Sequence, residues 1–137
     1  MTENENAYES IKIRGTITSG AGESKLFTET PWVRRQFIEK LGIDPYPGTL
    51  NVIVLPEDEG KLDDIKCIRG IEIVPEDTNY CTGKGFIALI NSRIKGAVII
   101  PRVPDYPATQ LEIISPENIK QSLSLENGNV VEIEIYG

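Results

Sequence analysis

Histidine is absent from this 137-residue chain, cysteine occurs only at Cys67 and Cys81, and no apolar run is long enough to cross a bilayer. Without His there is no Ser-His-Asp or Cys-His catalysis, and most zinc sites lose their usual ligand. The two cysteines show no CxxC spacing, so they read as free thiols in a reducing compartment rather than as a disulfide or a nucleophile. Positive charge is also scarce. Lys and Arg number 14 against 21 Asp and Glu, a formal charge of −7 that argues against a nucleic-acid partner, whose phosphates need neutralising. An acidic domain that binds a nucleotide needs Mg²⁺ or a cradle of backbone N–H groups for the phosphates. With neither a signal peptide nor a membrane span, the expectation is a cytoplasmic protein with no membrane partner. The length and a hydrophobic content of 39% suit one domain over 1–137, expected as a monomer, that buries a core without disulfides.

The apolar pattern is mostly of period two. Ile11, Ile13 and Ile17 alternate with Lys12, Arg14, Thr16 and Thr18, which predicts a half-buried strand. Thr30-Pro31 reads as an N-cap with proline at the first helical position. Val33, Phe37, Ile38 and Leu41 follow at helical spacing, and Gly42 is a natural stop. Trp32, in the first turn, reads as packing. Asp44 to Gly48 is a proline-stiffened turn, Thr49 to Leu55 a strand, Pro56 to Asp64 acidic and irregular, and Ile68 to Val74 a strand. Gly85 to Ile90 and Ile94 to Ile100 predict a hairpin turning near Asn91-Ser92-Arg93. Gln110 to Ile114 is a further strand. Ser115-Pro116-Glu117 predicts the start of a short helix burying Ile119 and Leu123, and Asn127-Gly128 a turn into a last strand through Val131, Ile133 and Ile135. Six or seven strands and two short helices, without βαβ alternation, point to a mainly β protein, a closed or nearly closed barrel plugged by helices.

Three segments could carry chemistry. Gly20-Ala21-Gly22-Glu23 follows a strand but leads into no close helix, so it is a tight turn or a phosphate cradle, not a Walker or Rossmann loop. On a strand, Thr49 and Asn51 project to the same side; they are either turn and edge residues or uncharged oxygen ligands for a hard cation. Glu112 lies opposite Leu111 and Ile113 by strand parity, and faces either solvent or a pocket. The helix start after Ser115 offers backbone N–H groups to an anion.

In order along the chain, Gly15 to Glu23 with Phe27, Leu41 to Asn51 (LGIDPYPGTLN), Leu111 to Pro116 (LEIISP) and Leu125 to Val131 (LENGNVV) resemble the archaeal-type CTP-dependent riboflavin kinase family. The resemblance runs from about Ile11 to Ile135. It implies a six-stranded closed cradle-loop β-barrel with two short helices. It also implies transfer of the γ-phosphoryl group of CTP to the riboflavin 5′-hydroxyl, with Mg²⁺ as cofactor. The residues implied to contact the cytidine nucleotide are Ala21, Gly22, Glu23, Ser24, Lys25 and Leu26, with Glu117, Asn118, Ile119 and Lys120. Thr49 and Asn51 would hold the metal; Glu112 and Asp105 would lie at the flavin, Glu112 as a base or an orienting group. The chain departs from the family pattern at Ser24, where glycine is usual, at Pro104-Asp105-Tyr106, where a threonine is common, and at Lys120, where Arg is frequent. The departures near Asp105 also permit a non-catalytic nucleotide- or flavin-binding module on the same barrel.

Overall fold

The computed structural model describes residues 10–19, 30–74, 83–101 and 108–136. Among these described residues, seven strands form one antiparallel sheet: β1 Ser10–Thr18, β2 Leu50–Val54, β3 Ile71–Ile73, β4 Gly83–Ile90, β5 Ile94–Pro101, β6 Gln110–Ile114 and β7 Val130–Tyr136. Their order is β3-β4-β5-β6-β2-β1-β7, and pairing of β4 with β7 closes the last six into a barrel. The two partners share one edge of β4: β3 takes Gly83–Gly85, and β7 takes Ala88–Ile90. The strand pattern's expectation of a mainly β, closed or nearly closed barrel therefore holds, and the barrel is the six-stranded closed one that the resemblance implies.

Alternation decides what lies inside. Ile13 and Ile17, Leu50, Val52 and Val54, Leu111 and Ile113, and Val131, Ile133 and Ile135 all join one interior cluster. Helix α2 (Lys61–Lys66) adds Leu62 and Ile65 to it, and helix α3 (Ile119–Ser122) adds Ile119. Strand β5 is apolar on both faces, and β6 adds Ile114 to the outer one. Ala97, Ile99 and Ile114, on the outside, form a second cluster with Val33, Phe37, Leu41 and Ile43. These last come from helix α1 (Pro31–Gln36), its π-helical continuation Phe37–Leu41 and the residues after it. Double-sided burial explains the nearly unbroken apolar run of β5.

Several boundaries differ from the sequence expectations. Helix α1 starts at Thr30-Pro31 as expected, and Gly42 ends its π turn with φ 71°. Within it Ile38 points outward, because Val33, Phe37 and Leu41 at four-residue spacing already fill the buried face. Trp32 packs against the outer cluster. The acidic stretch after Pro56 is helical, a 3₁₀ turn at Pro56–Asp58 followed by α2, because burying Leu62 and Ile65 rewards one turn of helix there. The strand expected over 68–74 is only Ile71–Ile73. Gly70 has φ 67°, and a Cβ at that position would stand 2.7 Å from Phe86 Cε1, so the chain bends onto that ring. Helix α3 begins three residues later than Ser115-Pro116 suggested. Asn118 is its N-cap, and Asn118 Oδ1 accepts from the Gln121 N–H at 3.1 Å. Cys67 is a free, exposed thiol, and Cys81 lies outside the described residues. No helix among the described residues is long and apolar enough to cross a membrane.

Candidate functional site

Strands β2 and β6 pair so that Asn51 stands directly opposite Glu112 and Ile53 opposite Gln110. Directly opposed residues share a face. Since Val52 and Leu111 point into the barrel, Asn51, Glu112 and Gln110 point outward together. The row continues from Thr18 on β1 through Asn51 and Glu112 to Ile99 on β5, which belongs to the apolar layer under α1. The polar group thus sits where the outer surface passes from open sheet to helix-covered sheet.

Its bonds are specific. Thr49 Oγ1 donates to Glu112 Oε1 at 3.1 Å, and Gln110 Nε2 donates to Asn51 Oδ1 at 3.1 Å. Asn51 Nδ2 reaches the Thr49 carbonyl at 3.4 Å, and Asn51 is only 6% exposed. A buried asparagine survives folding because its amide is bonded. The oxygens gathered here are Thr49 Oγ1, Asn51 Oδ1 and the Glu112 carboxylate. All three are hard donors, two of them uncharged. Among the described residues, no group of three or more His, Cys, Asp or Glu side chains is placed to hold a metal ion.

Beside this group lies a pocket of about 190 Å³. One wall is Tyr46 to Leu50, and the other runs from Ser115 through Glu117 to Lys120. Thr49 belongs to both the pocket and the polar group. The first wall is held at two points. The Tyr46 N–H donates to the Ser115 carbonyl at 2.8 Å, and Arg34 grips Asp44 through two N–H···O bonds of 2.8 and 2.9 Å. The hydrogen bond from Arg34 is the main cause that holds the Asp44 carboxyl below its ordinary range. Ser115, 3% exposed, ties the other wall down by donating to the Lys95 carbonyl at 3.1 Å.

Of the residues singled out in the sequence, the structure brings Thr49, Asn51 and Glu112 into one group and places Glu117, Asn118, Ile119 and Lys120 along the adjoining pocket. Ala21, Gly22, Glu23, Ser24, Lys25, Leu26 and Asp105 lie outside the described residues. The N–H groups expected to be free at the start of α3 are in part engaged, since Ser115 Oγ accepts from Glu117 and Asn118 Oδ1 from Gln121. Gln110 and Tyr46 were not foreseen. Gln110 shares the parity of Glu112, the one sequence signal that could have drawn it in, whereas nothing local marks Tyr46 as a pocket wall.

Comparison with known proteins adds the chemistry. The family model CTP-dep_RFKase, described as "Domain of unknown function DUF120", matches residues 17–135. A riboflavin kinase of Archaeoglobus fulgidus is 41% identical over 128 residues, covering 91% of this chain and 54% of its own length. Those of Sulfolobus acidocaldarius and Sulfurisphaera tokodaii are 38% and 37% identical over 133 residues, covering 92% of this chain and 82% and 96% of themselves. This chain therefore spans about half of the first relative and most of the other two. The match over nearly the whole barrel, with the pocket and polar group inside it, shows that the chain belongs to the CTP-dependent riboflavin kinase family.

Proposed function

We propose that this chain is a riboflavin kinase that transfers the γ-phosphoryl group of CTP to the riboflavin 5′-hydroxyl, giving FMN and CDP. The observation that carries the reading is the meeting of Thr49, Asn51 and Glu112 beside a pocket walled by Glu117 to Lys120. Riboflavin as acceptor follows the names of the relatives, and CTP as donor follows the name of the family.

Phosphoryl transfer asks little covalent chemistry of a protein and much positioning. The new bond joins the acceptor oxygen to the γ-phosphorus, the bond to the bridging oxygen of CDP breaks, and the acceptor hydroxyl gives up its proton. The pocket holds the donor, with Lys120 on its wall. Glu112, held by the Thr49 hydroxyl, orients the acceptor. The donor set suits Mg²⁺, which accepts a few hard oxygen ligands and keeps waters or phosphate oxygens as the rest. Thr49 Oγ1 and Asn51 Oδ1 would hold it. When bound, Mg²⁺ supplies charge neutralisation on the phosphates. The loop Ala21 to Leu26 and Asp105 complete the nucleotide and flavin sides in this reading. We place the protein in the cytoplasm as a monomer acting on small molecules, without nucleic-acid or membrane partners.

Incubation with riboflavin, Mg²⁺ and each of four nucleoside triphosphates tests the reading directly. FMN should form with CTP at least about tenfold faster than with ATP, because a site built for the cytosine edge leaves its polar groups unpaired against adenine. Equal rates with ATP and CTP would remove the donor assignment. Tight flavin binding with no FMN from any triphosphate would select the binding-module alternative.

A further inference from the structure

The pocket wall from Ser115 to Lys120 carries one cationic side chain among its described lining residues, Lys120. Its neighbours are occupied. The Glu117 N–H donates to Ser115 Oγ at 3.3 Å, and the Glu117 carboxylate accepts from Ser122 Oγ at 2.6 Å. Lys120 is the positive group on this wall that an anionic ligand would meet. A lysine side chain is a point charge on a flexible stem, so what fixes its ammonium matters.

Asn127 supplies that fixing point. Lys120 Nζ donates to Asn127 Oδ1 at 2.8 Å, and Asn127 Nδ2 donates to Ser19 Oγ at 2.8 Å, just past the end of β1. The turn carrying Asn127 is itself anchored. The Leu125 N–H donates to the Lys120 carbonyl at 2.7 Å, the Gly128 N–H to the Ile17 carbonyl at 2.8 Å, and the Ile17 N–H to the Asn129 carbonyl at 2.9 Å. An ammonium has three donors, so one bond to Asn127 leaves others for a ligand oxygen.

We propose that Asn127 is a positioning residue that holds the Lys120 ammonium at the pocket wall for the phosphate groups of the nucleotide. The inference rests on the nucleotide reading of this pocket. Exposed polar pairs contribute little to folding, so the contact should be nearly silent in stability and felt in phosphate binding.

The test is calorimetric titration of the full chain with CDP and, separately, with cytidine, which lacks phosphate. Asn127→Ala should weaken CDP binding about tenfold, the order of one charge-assisted hydrogen bond. Lys120→Met should weaken it at least as much. Both should leave cytidine affinity within about twofold. The double variant should bind CDP no worse than Lys120→Met alone, since Asn127 acts through Lys120. Asn127→Ser, too short to reach Lys120, should repeat the alanine result and serves if the alanine variant does not fold. Unchanged CDP affinity in the Asn127 variants overturns the inference, as does equal weakening for CDP and cytidine, which would make the turn a general prop of the pocket. Additive losses in the double variant also overturn it. A wild-type chain that binds neither CDP nor cytidine removes the nucleotide reading and the inference with it, an outcome distinct from variants that match a binding wild type.

Discussion

Replacing Asn51 by alanine separates its structural part from its part in catalysis. The side chain is buried and accepts from Gln110 Nε2 at 3.1 Å, with a weaker 3.4 Å contact to the Thr49 carbonyl. Gln110 is half-buried and can turn its amide to water, and a 3.4 Å bond contributes little. At about 1 kcal/mol net per hydrogen bond, the loss of stability should be about 1–2 kcal/mol. With an unfolding entropy near 2.1 cal/mol/K per residue, that lowers Tm by roughly 5 °C. Turnover should fall much further, about a hundredfold, a barrier increase of about 2.7 kcal/mol, if Asn51 Oδ1 holds the charge-neutralising cation. The assay is FMN formation followed by fluorescence across a Mg²⁺ titration, alongside thermal melting by circular dichroism. The alanine variant should need more Mg²⁺ at every rate, whereas Asn51→Asp, which keeps an oxygen at the same place, should recover part of the activity. Normal turnover across the whole titration, with the expected fall in Tm, would refute the reasoning and leave Asn51 a cross-strand polar residue.

Glu112→Gln keeps the shape that accepts from Thr49 but loses the charge, so flavin affinity should fall about tenfold with turnover at saturation little changed; an intact affinity with turnover down about a hundredfold would instead make Glu112 the general base. Asp58 is held below its ordinary carboxylate range first by the Arg14 backbone N–H at 2.8 Å, then by the Arg14 side chain and Lys61. A depressed folded pKa means that its stabilisation is present above the unfolded value, near 4, and is lost as pH falls through the lower folded value. Asp58→Asn should therefore lower Tm at neutral pH and flatten the acid limb of the Tm profile, and an unchanged acid limb would count against the linkage. Gly85→Val should cost about 1–3 kcal/mol, because even a Cβ there would stand 3.1 Å from Leu41 Cδ1 and 3.3 Å from Ile99 Cδ1; a wild-type urea midpoint would show that α1 can lift without penalty.

Much of the barrel was legible because alternation is a local property. Period two alone puts Ile13 with Ile17, Leu111 with Ile113, and Ile133 with Ile135 on one face of their strands, and they do line the interior. Strand Gln110–Ile114 and the glycine stop at Gly42 needed no more than the neighbouring residues. Elsewhere tertiary contacts override the local pattern. The acidic stretch after Pro56 carries no helix signal strong enough to outweigh its charge, and only burial of Leu62 and Ile65 in the barrel makes α2 worth forming. Gly70 looks neutral inside an apolar run until the Phe86 ring appears beside it.

The candidate site divides along the same line. By itself the sequence determined that Thr49 and Asn51 share a face, that Glu112 opposes Leu111 and Ile113, and that 115–120 leads into a helix. It could not determine that these three pieces meet. Their separation along the chain is bridged by strand register: β2 lies between β1 and β6 and pairs Asn51 with Glu112 and with Thr18. A slip of one residue would turn Glu112 toward the interior that Leu111 and Ile113 now fill, so the buried apolar face pins the polar one. The pocket wall, the Asn127 contact and the Gln110 amide likewise arise only on folding, because hydrogen bonds between distant residues become specific once the barrel has closed and their backbones can no longer move apart.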